Sequence, residues 1–367
     1  MPSPSSSSSA TPADTGDKAS DPSLLSLSHL TPSSDPSHPF SSWPSITPNP
    51  IGRLVLLTPE VTRNAISQCV QTGKRFSLDW SVYPSGARMY GRACGQHTIK
   101  RVDQGPSTKS EAESRNTGDR ENADLAEIKK NTFHPCFDDF IEINTQSSTQ
   151  WDYFLHYSYP HSGLFFGGLT EEQIRTEDTG DFGVAAIARA GGVQTRAILL
   201  DIPLYLSQKN LPPNPPLANP PPTKLTFDVF QDVLAHFNIQ PRVGDMLIVR
   251  TGFEDAVIES NSTGEEIKAS WWGVEQCSEI IEWIWENGIV TVGTDNPTFE
   301  NWPVSPNELQ LHPVLLSGMG IMICELMRLN EIAEECKKLN RWEFFFSSNP
   351  LMIEHGVASP PNAVAIF

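Results

Sequence analysis

Asp245-Met-Leu-Ile-Val-Arg-Thr-Gly252 is an almost continuous apolar run closed by a turn residue, and Ile289-Val-Thr-Val-Gly-Thr-Asp295 repeats the pattern further on. Runs of this kind read as strands covered on both faces. Between them, Val274 to Glu286 places Ile280, Ile281, Ile284 and Trp285 on one helical stripe. Upstream, Thr226 to Phe237 repeats Phe227, Phe230, Val233, Leu234 and Phe237 at helical spacing. Before that come a strand, Arg196 to Ile202, and a glycine-stopped helix, Gly180 to Gly192. Downstream lie a strand from Gly320 to Leu326, a charged helix from Glu331 to Leu339, and strands at Trp342–Ser348 and Ala363–Phe367. Nearer the start, Asn64 to Val70 reads as a helix stopped by Gly73, and Phe76 to Val82 alternates as a strand. Alternating strands and helices give an α/β fold, a mixed sheet flanked by helices.

The chain has 367 residues, of which 38 % are hydrophobic, 19 % are charged and 31 are proline. These values describe a core diluted by Ser/Pro-rich segments. Residues 1–48 are such a segment and are expected to be a disordered tail. A single domain then spans 49–367. It is interrupted by a polar insertion at 101–130, with six Lys/Arg and seven Asp/Glu, and by a proline-rich loop at 209–224. A net charge of −18 argues against nucleic acid as a partner, and against anionic membrane. No apolar run is long enough to span a bilayer, and a Ser/Pro-rich start without a basic or apolar stretch is not expected to act as a secretory signal. Six cysteines without a CxxC pair read as reduced thiols in a cytoplasmic protein. Dinucleotide, P-loop, nucleophile-elbow and HExxH motifs are absent from the sequence.

Polar residues beside apolar strands carry the chemistry, because burying them without partners is costly. Gln146, Gln150 and Asp152 are separated by even numbers, so an extended chain puts them on one face. His156 would follow one helical turn after Asp152. The competing reading is a polar loop with a capping Asp. Glu325 ends an Ile-Met-Ile-Cys strand and has His312 upstream, and a buried carboxylate there needs a cation, a metal or donors. The alternative leaves Glu325 at a surface strand end and His312 in a loop. Asp295 ends another strand, at an edge where α/β sheets bind ligands, or else starts an Asx turn before Pro297.

These motifs resemble the cyclase family of metal-dependent hydrolases, which includes kynurenine formamidase and isatin hydrolase, and in particular its filamentous-fungal branch. The family's H-x-G-T-H-x-D string is matched by Gln146-Ser-Ser-Thr149-Gln150-Trp-Asp152, with His156 in the place of the following His. The His-to-Glu strand motif is matched by His312 and Glu325. The Gly167-Gly-Leu-Thr-Glu-Glu172 and Gly356–Phe367 stretches are also similar. The resemblance implies a swivelling β/β/α domain, a homodimer and one or two divalent metals. A water activated by the metal would attack an amide or lactone carbonyl. Asp152, His312 and Glu325 would be the ligands, and His156 the acid/base.

Two motif histidines are replaced by Gln146 and Gln150. An amide oxygen is a harder and weaker donor than imidazole, so one ion is expected, with Mn²⁺ favoured over Zn²⁺. The alternative is no metal, with both glutamines bonding the ligand. Trp151, Phe154, Tyr157 and Phe165, with Asp295, would line a pocket for a small-molecule substrate. The expected activity is hydrolysis. Two other readings stay open: a cyclase, dehydratase or isomerase using His156, and a ligand-binding paralogue that does no chemistry. Trp271, Trp272, Trp283 and Trp285 would form core, interface or pocket.

Overall fold

The structure is a computed structural model that describes residues 22–43, 45–82, 92, 95–101, 136–212, 224–263, 270–304 and 308–367. Its centre is four parallel strands whose side chains are almost all buried. These are β5 (Val193–Asp201), β6 (Met246–Arg250), β7 (Thr291–Thr294) and β8 (Met322–Glu325). The continuous apolar runs of the sequence become these strands because helices and loops cover both faces. The connections include α4 (Ile202–Gln208) and α5 (Phe227–His236) between β5 and β6. Between β6 and β7 come α6 (Phe253–Thr263) and α7 (Ser278–Glu286).

Antiparallel strands extend the sheet at both ends. Beyond β5 lie β9 (Glu343–Ser348), β11 (Val364–Ile366) and β1 (Arg75–Ser77). Beyond β8 lie β4 (Gln150–Asp152) and β10 (Ala358–Ser359). The result is one curled mixed sheet of nine strands, in the order β1-β11-β9-β5-β6-β7-β8-β4-β10. A separate ribbon pairs β2 (Gln96–Arg101) with β3 (Phe137–Glu142), and every residue of it is exposed. The remaining helices are α1 (Pro59–Cys69), α2 (Glu171–Arg175), α3 (Val184–Arg189) and α8 (Asn330–Leu339). None among the described residues is long and apolar enough to cross a membrane.

The strand expected over Phe76–Val82 shortens to β1 (Arg75–Ser77), and three further differences from the sequence reading stand out. Helix α1 begins at Pro59 rather than Asn64, because the Thr58 side chain accepts from Val61 N and proline suits the first turn. Helix α7 begins at Ser278 rather than Val274, because Val274 is bridged to Leu225 and Glu300. The third difference is the tail. Residues 1–21 lie outside the described residues, but 22–43 and 45–48 form a strap across the domain. Leu24, Leu25, Leu27, Leu30, Trp43 and Ile46 pack on the core, and Phe40 is 3 % exposed. Arg53 donates to Leu24 O, and Trp285 Nε1 to Ser26 O. Seven scattered apolar residues cannot make a core of their own, but they can fill grooves in one already built. Most of the polar insertion (102–130) and of the proline-rich loop (213–223) lies outside the described residues.

Of the four tryptophans, Trp271, Trp272 and Trp285 are buried and Trp283 packs against the core. Cys69, Cys136, Cys277, Cys324 and Cys336 are free thiols.

Candidate functional site

Strand β4 lies antiparallel to β8, with Gln150 opposite Glu325 and Asp152 opposite Ile323. The pleat sends Gln150 and Asp152 to one face and Trp151 to the other. On that other face Trp151 packs edge-on to Phe346 and donates to Ser348 Oγ at 2.8 Å. Before β4, a turn held by Asn144 returns Gln146 to the Asp152 side, where its Nε2 donates to Asp152 Oδ1 at 2.5 Å. After β4 the chain turns without becoming helical: His156 N donates to Tyr153 O at 2.8 Å. That turn leaves His156 Nε2 3.9 Å from Asp152 Oδ2, and its Nδ1 3.4 Å from Gln146 Nε2.

His312 arrives from a different part of the chain. It caps a π-helical turn, Pro313–Met319, that precedes β8. The strap fastens this turn from behind, since Trp43 Nε1 donates to Ser317 O and Ser42 Oγ to Gly318 O. His312 Nε2 lies 3.2 Å from Glu325 Oε1 and 3.8 Å from Asp152 Oδ2, and its Nδ1 lies 3.0 Å from Glu300 Oε2. Glu325 also accepts from Phe299 N at 3.0 Å and from Gln150 Nε2 at 3.1 Å.

Asp152, His312 and Glu325 are buried, and one ligand atom from each lies within 4.8 Å of the others. That is a metal-sized arrangement. A second observation concerns satisfaction of polar groups. With each amide nitrogen turned to a carboxylate, Gln146 Oε1, Gln150 Oε1 and Asp152 Oδ2 are buried without a hydrogen-bond donor among the described residues. Buried acceptors without donors are costly, and Asp152, one of the three side chains of the metal-sized group, carries one that a cation would satisfy. The donor set of oxygens with one imidazole therefore fits a hard divalent ion.

The electrostatics are those of a crowded acid cluster. Burial and the nearby Asp152 raise Glu325 to about 7, against the lowering effect of His312. Burial alone would lower His312, but Glu300 and Glu325 outweigh it and hold the imidazole well above its ordinary value. Burial pulls His156 below its ordinary value, with Asp152 opposing.

A cleft of about 140 Å³ opens over the cluster, with Arg92, His156, Tyr157, Glu300, Gln310 and His312 in its wall. The ring of Tyr157 lies 5.6 Å from that of His312. The other four pocket residues are placed elsewhere. Trp151 and Phe154 are fully buried core, Phe154 stacking on Tyr153. Phe165 packs half-buried against the same core. Asp295 accepts from the backbone N–H groups of Thr251, Gly252 and Phe253, and from Thr251 Oγ1. Its carboxylate therefore holds the start of α6 instead of facing the cleft. Sequence reasoning missed Glu300, Arg92, Trp302 and Gln310, which reach the cleft from loops with no periodic signal.

A family model described as "Putative cyclase" matches residues 37–301. No individually curated protein matches the chain. Among solved structures, one described as a novel cyclase is 25 % identical, with a TM-score of 0.67, covering 87 % of this chain and 96 % of that one. An isatin hydrolase bound to the product analogue thioisatinate is 13 % identical, with a TM-score of 0.50, covering 83 % of this chain and 95 % of that one. Isatin hydrolase A from Ralstonia solanacearum is 16 % identical, with a TM-score of 0.48, covering 80 % of this chain and 91 % of that one.

Proposed function

This chain belongs to the cyclase family, and from that premise we propose that it is a metal-dependent hydrolase opening an amide or lactone bond of a small molecule. The observation that carries the reading is the set of donorless buried oxygens, Gln146 Oε1, Gln150 Oε1 and Asp152 Oδ2, beside His312 and Glu325. In this proposal Asp152, His312 and Glu325 hold one divalent ion, and Gln146 and Gln150 support it through their amide oxygens. Four of the five side chains offer oxygen, which favours Mn²⁺ or Mg²⁺ over Zn²⁺. A bound ion polarises the scissile carbonyl and lowers the pKa of water.

The chain's own residues do the rest. His156 stands in the cleft wall with a depressed pKa, so it is neutral near pH 7 and able to take a proton. It then returns the proton to the leaving nitrogen or oxygen. The Asp152 carboxylate near its Nε2 stabilises the imidazolium formed between the two steps. Tyr157 donates its hydroxyl hydrogen to Gln310 Oε1 at 3.2 Å and presents its ring to the cleft, giving the substrate a flat apolar wall. The cleft volume suits a small substrate rather than a polymer. The proposal includes the homodimer implied by the resemblance and the cytoplasmic setting read from the thiols.

Incubating Mn²⁺-loaded protein with a panel of formamides, cyclic amides and lactones, read by mass spectrometry, tests this. The expected product is substrate plus one water, formed about 10²–10⁴-fold more slowly by His156→Gln. A product of unchanged mass, or one that has lost water, would replace hydrolysis with isomerisation or dehydration.

A further inference from the structure

We propose that Glu300 is the positioning residue of this site, fixing His312 so that only its Nε2 faces the ion. The inference rests on the metal reading above and deepens it. Both carboxylate oxygens of Glu300 address the same residue. Oε2 lies 3.0 Å from His312 Nδ1, and Oε1 accepts from the His312 backbone N–H at 3.4 Å. Glu300 is 3 % exposed, so this interaction is not diluted by solvent.

The backbone of Glu300 is itself clamped. Residue 300 bridges to Val274, Asn301 N donates to Val274 O at 3.0 Å, and Thr298 Oγ1 donates to Glu300 O at 2.7 Å. Gly273 lies so close that a Cβ there would sit 2.7 Å from the Glu300 carbonyl. The loop that carries the acid therefore has little freedom to move away from the ring.

The consequence follows from imidazole chemistry. The two atoms are not aligned as a hydrogen bond, but a carboxylate 3.0 Å from Nδ1 favours the proton on that nitrogen and leaves the Nε2 lone pair free to ligate. The ring is oriented with Nε2 toward Asp152 and Glu325, and the negative partner makes it a better donor. His312 is the one imidazole among the five side chains proposed to hold the ion. A single ring therefore carries all of the imidazole donation. Its orientation therefore matters more than it would in a histidine-rich site. Glu300 also stands in the cleft wall, but both of its carboxylate oxygens are turned to His312, and the role proposed for it acts through that ring.

The test uses full-length protein, Glu300→Gln and Glu300→Ala, with Mn²⁺ as the titrant in calorimetry. Glu300→Ala is expected to bind Mn²⁺ ten- to a hundredfold more weakly than wild type. Glu300→Gln keeps an acceptor for the Nδ1 proton without its charge, and is expected to fall between the two. The unfolding midpoint of metal-free Glu300→Gln should match that of wild type, which separates positioning from a loss of fold. Proton NMR of the metal-free protein gives a readout independent of the ion. A low-field Nδ1 proton of His312 should be present in wild type and lost in Glu300→Ala. Mn²⁺ affinity within threefold of wild type in Glu300→Ala, or survival of that proton signal, overturns the role of Glu300. Absence of Mn²⁺ binding by wild type instead overturns the metal reading on which it rests.

Discussion

Asp295 and Glu325 both stand at the C-terminal ends of parallel strands, yet they have opposite fates. Asp295 meets four donors at the start of α6 and is used up by them. Glu325 meets one backbone N–H, one amide and an imidazole, beside oxygens that have no donor. Nothing in the two local sequences separates these outcomes, because each depends on what a distant loop brings. The even spacing of Gln146, Gln150 and Asp152 was legible, since the pleat of one strand decides it. The pairing of Gln150 with Glu325 was not, because register between strands far apart in sequence is set by the whole sheet. A different carboxylate gives a prediction at this scale. Burial raises Asp79 from 3.8 to about 6, against the lowering effect of the Ala363 N–H. The folded state then holds that proton more firmly than the unfolded chain does. The cost of its charge is absent below 3.8 and complete above about 6. Relative to wild type, Asp79→Asn should therefore gain by up to about 3 kcal/mol between pH 4 and pH 7.5. Urea unfolding of both proteins at the two pH values measures it. A difference that does not change with pH would contradict the account.

Elements were read best where their signal was periodic. The apolar runs became β5 to β9, and the Phe/Val/Leu stripe became α5, with its Thr226 cap. The strap was misread because composition reports whether a segment can fold alone, not whether it can complete another element's surface. Its role is local and testable. Phe40 is buried, Tyr159 Oη donates to Pro39 O at 2.8 Å, and Trp43 and Ser42 hold the turn that presents His312. Phe40→Ala should destabilise the domain by roughly 3–5 kcal/mol. Such a variant unfolding at the wild-type denaturant midpoint would show that the strap is not part of the core. The β2–β3 ribbon escaped notice for a related reason: with both faces exposed, its sequence has no core-facing alternation to read.

At the scale of the whole molecule, the curl of the sheet does the assembling. It places β4, drawn from before the parallel core, against β8 at the core's far edge, and so unites residues 146–156 with residues 312–325. Loops leaving β7 add Glu300 and Trp302 from above. The fold class was legible in the sequence, as was the motif spacing on which the candidate site is built, because strands and motif spacing are local properties. The cleft wall was not legible, because it is a property of packed loops. The net charge of −18 suits this account, since three of the acids, Asp152, Glu300 and Glu325, are gathered where a cation would offset them. The most direct test is elemental analysis of wild type and Asp152→Ala, purified without added metal and again after Mn²⁺ or Zn²⁺ loading. The account predicts close to one divalent ion per wild-type chain, Mn²⁺ retained in preference to Zn²⁺ relative to a histidine-rich site, and loss of the ion in Asp152→Ala. Wild type that retains no ion in any preparation, or Asp152→Ala that retains it undiminished, would contradict it.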